Sequence, residues 1–277
     1  VHRHRAIAVL VALAVGCGTL QPSPDDDTDG GSPPPGVDAG DDASEAGTRG
    51  AAYAKLVVDD GPLAYFRLDD LPGSAGARDE IGKLAGPHPF SAGCMLGADG
   101  VVPGDKAVYF DGAKCRIDVG DPVGWLDFSG NKPFTVEAWA RSDGGTFQHV
   151  FTREQRTDHP LAGYALLLEN ATTVYAERAS SATVNDLTQP ATVATGAFVH
   201  LVLTFDGQTI RLYVDGQPQG PGTESTAPVP DVAIAPLIGA AAPTENLFHG
   251  IIDEVAIYGR VLPPDRIDAH HRAFSGP

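Results

Sequence analysis

Downstream of residue 51, apolar and polar residues alternate in most of the chain, and a period of two is the mark of strands with one buried face. In 133–142 (PFTVEAWARS), Phe134, Val136, Ala138 and Ala140 share one face. Thr135, Glu137, Trp139 and Arg141 share the other. The clearest unit is a hairpin at 200–216 (HLVLTFDGQTIRLYVDG). Leu201, Leu203 and Phe205 alternate on one arm, and Ile210, Leu212 and Val214 on the other. Asp206-Gly207 stands at its turn, where glycine takes positive φ at little cost. Asp215-Gly216 and Asp111-Gly112 mark two further reversals. Strands are also predicted at 62–69, 106–111, 115–119 and 249–260. Two segments have helical character, 53–59 and 263–274. Pro263 and Pro264 fit the first turn of the second, and Gly276 follows its end. Many short strands with turn signals and few helices predict an all-β fold, an antiparallel two-sheet sandwich.

The first residues read differently. Residues 1–5 are short and basic, and 6–15 form an unbroken apolar run of ten. A spanning helix needs about 20 such residues, so this segment reads as an export signal. It ends in Ala14-Val15-Gly16-Cys17, which resembles the lipobox of bacterial lipoproteins, with Ala14 where leucine is usual. On that reading residues 1–17 are a lipoprotein signal peptide and Cys17 is diacylated. The alternative is an ordinary signal cleaved after Ala14. Gly18 after the cysteine resembles lipoproteins that travel on to the outer membrane. Two acyl chains suffice for stable anchoring.

Residues 18–50 hold eight acids and one arginine, with Pro22, Pro24 and Pro33 to Pro35, and almost no large apolar side chains. Such a segment cannot bury enough surface to offset its ordering entropy. It predicts a disordered acidic linker, leaving 51–277 as the folded domain. The net charge of the whole chain is −17. With no basic patch interleaved with aromatics, nucleic acid is excluded as a partner. Cys94 and Cys115 remain after Cys17, on either side of the 106–111 strand. In an exported chain an even pair reads as a disulfide, with two buried thiols as the alternative.

The segments YFRLDD (65–70), AVYFDG (107–112), FTVEAWAR (134–141), 200–216 and GIIDEVAIYGRVLPPDRI (250–267) follow one another as in laminin-G-like, or concanavalin A-like, jelly-roll domains. The resemblance covers nearly all of 51–277, with Phe198 where the family often has tryptophan. It implies two stacked antiparallel sheets, and relatives that are lectins, carbohydrate-binding modules and adhesion proteins, some of which carry calcium. The carboxylates it points to are Asp69, Asp70, Asp111 and Asp253, with backbone carbonyls completing a Ca2+ shell. Each acid also has an ordinary role in a turn or at a sandwich edge.

A glycan site needs exposed aromatics and planar polar groups. Trp139, Tyr175 and Tyr213 are the first candidates, with Trp125 beside them and Asn185 and Asn246 as polar partners. Most aromatics in a sandwich are core. Enzymatic readings have less support. There is no Gly-x-Ser-x-Gly elbow and no His-Glu-x-x-His helix. Asp253 and Glu254 are adjacent, and strand alternation sets such neighbours on opposite faces. His200 is expected to be structural, and His270 and His271 to be solvated on the terminal helix. The expected function is a lipid-anchored extracytoplasmic module, not an enzyme, that binds a polysaccharide or a cell-surface protein. The alternatives are an envelope scaffold and a glycoside hydrolase of the same broad fold.

Overall fold

The computed structural model describes residues 39–156, 161–181 and 184–275. Cys17 and the export segment lie outside them. In chain order the elements are helix α1 (Ala39–Asp59), then β1 (Ala64–Phe66), β2 (Met95–Asp99), β3 (Lys106–Asp111), β4 (Ile117–Asp118), β5 (Phe134–Ser142), β6 (Phe147–Gln155), β7 (Ala162–Glu169) and β8 (Thr173–Ser181). There follow β9 (Val184–Leu187), β10 (Ala191–Thr192), β11 (Val199–Phe205), β12 (Thr209–Val214), β13 (Gln217–Pro218), β14 (Thr223–Glu224), β15 (Leu237–Ile238), β16 (His249–Tyr258) and helix α2 (Pro264–Ser275). The all-β reading holds.

The strands form two antiparallel sheets. One has nine strands, in the order β13-β12-β11-β5-β16-β3-β2 with β1 also on β16 and β14 on β12. The other has seven, in the order β10-β8-β7-β6-β15-β4 with β9 on β8. The hairpin has the register its sequence predicts, with Leu203 opposite Leu212 and Phe205 opposite Ile210. Asp206 Oδ1 accepts the N–H groups of Gln208 and Thr209 at its turn. Asp215 and Gly216 both have positive φ, as a tight two-residue hairpin requires.

Period two sorts the side chains as alternation demands. Phe134, Val136, Ala138 and Ala140 of β5 enter the inter-sheet core with Leu201, Leu203, Phe205, Phe151, Leu166 and Val174. The alternate residues look the other way, beneath the helices. Tyr53 and Val57 of α1 and Ile267 and Phe274 of α2 pack with Trp139, Val202, Tyr213 and Tyr258 on the outer face of the nine-stranded sheet. Burial of each such aromatic contributes about 1.5–3 kcal/mol. Tyr53 and Phe274 stack at 4.1 Å between ring centroids.

Helix α1 begins at Ala39, so the last part of the segment predicted as linker is helical. Ala-rich composition from residue 39 favours helix despite the acids. Cys94 and Cys115 form the expected disulfide, closing a separation of 21 residues around β3.

Candidate functional site

The helices seal one outer face of the sandwich. The other outer face, on the seven-stranded sheet, carries a second group of unpartnered polar atoms, on His149, Thr152 and Glu154. Strand β6 crosses β7 with Thr152 opposite Ala165 and Glu154 opposite Gly163, and β8 continues the rows with Glu177 opposite Ala165 and Ala179 opposite Gly163. Small residues on the middle strand therefore let β6 and β8 side chains meet above it. Gly163 has φ +138, and a Cβ there would stand 2.0 Å from the Arg153 carbonyl oxygen, so that row depends on glycine.

Three side chains converge on this face. One ligand atom each of His149, Glu154 and Glu177 lies within 4.8 Å of the others. His149 is 1% exposed. Arg156 Nη1 donates to Glu154 Oε2 at 2.5 Å. Asn185 Nδ2 donates to Glu177 Oε1 at 2.6 Å. Neither ring nitrogen of His149 has a hydrogen-bond partner, nor has Glu154 Oε1 or Thr152 Oγ1. Burial, reinforced by the Glu177 carboxylate, pushes Glu154 up to about 8 against the pull of Arg156. Glu177 is raised as well, chiefly by burial. Burial, with Arg156 adding to it, takes His149 down to about 3, so its ring is neutral at pH 7. Beside the cluster opens a cleft of about 260 Å³ whose lining includes Thr152, Glu154, Arg156, Asp118, Leu237 and Ala241.

A larger cleft, of about 840 Å³, is lined by Asp121, Asp127, Arg153 and apolar loop residues. Several of its polar groups are already engaged. Arg153 donates to Asp127 and to the Val232 carbonyl. Asp121 accepts the N–H groups of Trp125 and Leu126. The smaller cleft is the better candidate because its polar atoms have capacity left.

The aromatic candidates separate. Trp139 is 4% exposed and packs against the His200 and His271 rings, at 4.9 and 5.7 Å. Tyr213 is 5% exposed in the same apolar cluster. Both face helix α2 and not a ligand, because alternation on β5 and β12 turns them towards the helices. Tyr175 is different. It alternates with the core residues Val174 and Ala176, so its ring is on the outer face of the seven-stranded sheet, partly exposed, with its hydroxyl on Glu169. Trp125 is 48% exposed. Asn185 joins the cluster, whereas Asn246 lines another cleft with Asp111 and His249.

The four acids expected around calcium do not form one set. Asp111 is opposite His249 at the end of β3, and its Oδ1 accepts three N–H groups, from Ala113, Lys114 and Cys115. That is a turn role, and it holds the carboxyl below its ordinary value against the opposing effect of burial. Asp69 pairs with Arg67 at 3.0 Å. Asp70 is raised, foremost by burial. Asp253 is fully buried and groups with Asp105 and Glu254. Arg67 pairs with Asp105 and Glu254 too, so a guanidinium already serves these carboxylates.

Asp253 and Glu254 correct a second expectation. A β-bulge between Asp253 and Ala256, with Glu254 at φ +53, breaks the alternation and brings both carboxyls to one side. They are structural there. Asp253 Oδ2 accepts the Val101 N–H, and Glu254 accepts from the Tyr65 hydroxyl and Arg67. His270 is a third correction. It is fully buried, not solvated, because it points from α2 onto Glu137. His200 is buried in the structural place expected of it.

His149, Glu154 and Glu177 were not foreseen. The signal that could have found them is acid at alternate positions in strands whose other face is apolar, but Arg153 and Arg178 at inward positions mask it.

No curated protein matches the chain. Among solved structures, domain 4 of the extracellular GH43 arabinanase AbnA from Geobacillus stearothermophilus, in complex with arabinotriose, is similar at TM-score 0.57 and 18% identity, over 76% of this chain and 98% of that one. The botulinum neurotoxin serotype G binding domain is similar at TM-score 0.59 and 9% identity, over 78% of this chain and 52% of that one. The botulinum neurotoxin DC binding domain in complex with SialylT is similar at TM-score 0.58 and 8% identity, over 78% and 52%. This chain thus spans about half the length of the neurotoxin domains. At these identities the likeness establishes the fold. A family model matches residues 111–268, more than half of the chain, and the chain belongs to the concanavalin A-like lectin/glucanases superfamily.

Proposed function

We propose that the chain is a non-catalytic carbohydrate-binding module, with its ligand on the outer face of the seven-stranded sheet. The observation that carries this reading is the cleft lined by Thr152, Glu154 and Arg156, in which Thr152 Oγ1 and Glu154 Oε1 have no partner, with Glu177 and Asn185 adjoining Glu154 on the same face. Sugars are recognised by a few convergent polar groups and by stacking on an aromatic ring. Tyr175, on the same face, is the platform. Arabinotriose in one similar structure and SialylT in another support a glycan as the ligand class. The module is tethered outside the cytoplasm through a lipid on Cys17, a reading that rests on the export pattern of residues 1–17. The test is binding of the chain to a polysaccharide and glycan array. Wild type binds at least one glycan, and E154Q and Y175A each weaken it about tenfold. A blank array overturns the glycan reading and moves the assignment to a protein partner or an envelope scaffold.

One observation favours a second reading, glycoside hydrolysis. Glu154 and Glu177 are two carboxyls brought close together on one face. Retaining glycosidases set such a pair about 5–5.5 Å apart. Here the Glu177 carboxylate helps hold the proton on Glu154, and Asn185 donates to Glu177 Oε1. Release of reducing sugar that disappears in both E154Q and E177Q decides for hydrolysis.

A further inference from the structure

Outside the buried ion network of the nine-stranded sheet, one cluster among the described residues mixes nitrogen and oxygen donors, with Arg156 engaging one oxygen of Glu154 alone. We propose that His149, Glu154 and Glu177 form a binding site for a divalent transition-metal ion of the zinc class. Their donor atoms lie within 4.8 Å of one another. Bonds of about 2.0–2.2 Å to a shared ion place tetrahedral donors about 3.3 Å apart, a closure within the reach of two glutamate side chains.

Three features specify the site. First, His149 is 1% exposed and both ring nitrogens lack partners. A buried polar group without a hydrogen bond costs about 1–3 kcal/mol, and a metal bond to one nitrogen relieves that cost. Second, Glu154 Oε1 is also without a partner, while its other oxygen is held by Arg156. Glu177 is held in the same way by Asn185 through Oε1. Each carboxylate is thus anchored by one oxygen, and Glu154 offers the other, the arrangement by which outer partners orient metal ligands. Third, Gly163 and Ala165 on β7 beneath the cluster carry no long side chains, so the β6 and β8 donors meet directly above them.

The donor set selects the metal. Calcium takes oxygen ligands, whereas imidazole with carboxylates suits zinc and its neighbours. Three protein ligands leave a fourth position open. Of the three ligands, Glu154 also lines the neighbouring cleft. The assignment stands apart from the glycan reading and is tested with the metal alone.

The experiment is calorimetric titration of the metal-stripped chain with Zn2+, then with Ca2+, for wild type, H149A and E177Q. Cobalt(II) provides a spectroscopic check, since its visible bands intensify in a tetrahedral site. Wild type is expected to bind one Zn2+ per chain, to prefer it to Ca2+ by at least a hundredfold, and to show the cobalt bands. Both variants are expected to weaken Zn2+ at least tenfold and to lose the bands. E177Q is nearly isosteric and keeps a partner for Asn185, so its loss cannot be put down to misfolding. Circular dichroism of the metal-free protein checks that. Absence of Zn2+ binding overturns the proposal, as does equal Zn2+ binding by wild type and both variants. The latter result would place the metal elsewhere on the chain.

Discussion

His270 Nδ1 meets Glu137 Oε2 at 3.0 Å while its Nε2 meets Asp60 Oδ2 at 3.0 Å, so one buried imidazole on α2 joins a carboxylate of β5 to one just after α1. Glu137 is fully buried and also accepts from the Tyr53 and Tyr258 hydroxyls. Burial opposes charge on both groups, but mutual attraction wins. His270 is raised and Glu137 lowered.

The pair sets a window of pH. His270's share of stability is complete below its unfolded value of about 6.5 and is lost as pH rises through the raised folded value. Glu137's share is present above about 4.5 and is lost as pH falls through the lowered folded value. Urea unfolding of wild type and H270A is expected to differ most between these limits, by about 3–5 kcal/mol, because the variant strands a buried carboxylate. The difference narrows as pH is raised. A difference constant from pH 5 to pH 9 would refute the charged pair.

Trp139 and Tyr175 are expected to separate stability from binding. W139A removes a ring packed against two histidines and costs about 3–5 kcal/mol, with glycan affinity unchanged at a temperature where the variant is folded. Y175A leaves stability within about 0.5 kcal/mol and weakens the glycan. Thermal melts and the array, run on both variants, check the contrast.

That contrast also marks what the chain's pattern discloses and what it hides. In β5, β11 and β12 every inward residue is apolar, so alternation displays the nine-stranded sheet and even its register. The seven-stranded sheet hides because β6 (FQHVFTREQ) and β8 (TVYAERASS) send Arg153 and Arg178 to the inward side and carry a polar outer face. A bulge between His149 and Phe151 then shifts the period midway along β6. The candidate site is on those strands, so its residues read as unpatterned polar chain. Trp139 misleads for the opposite reason. Its polar strand neighbours suggest solvent, but α2 covers them, and a helix arriving from 125 residues downstream leaves no local trace.

Arg178 is expected to resist conservative replacement. It is fully buried, donates to Ser225, Ala227, Gly130 and Asn131, and lies with its guanidinium carbon 4.1 Å from the Phe205 ring centroid. Burial lowers it to about 10. Lysine retains the charge but not the planar fork, and R178K is expected to cost about 3 kcal/mol in chemical denaturation. A loss below about 0.5 kcal/mol would mean the fork is not used.

Reduction of Cys94–Cys115 is expected to destabilise without abolishing the fold. The 21-residue separation corresponds to about 3 kcal/mol of loop-closure entropy. The C94S/C115S double variant, melted beside reduced wild type, should show the same downward shift for both.

Helices α1 and α2 come from opposite ends of the folded chain and close over one sheet, Tyr53 against Phe274, while the candidate site is on the other sheet. The face that the helices close and the face that carries the candidate site are thereby separate, so a change in the helix seam and a change in the cleft act on different sheets.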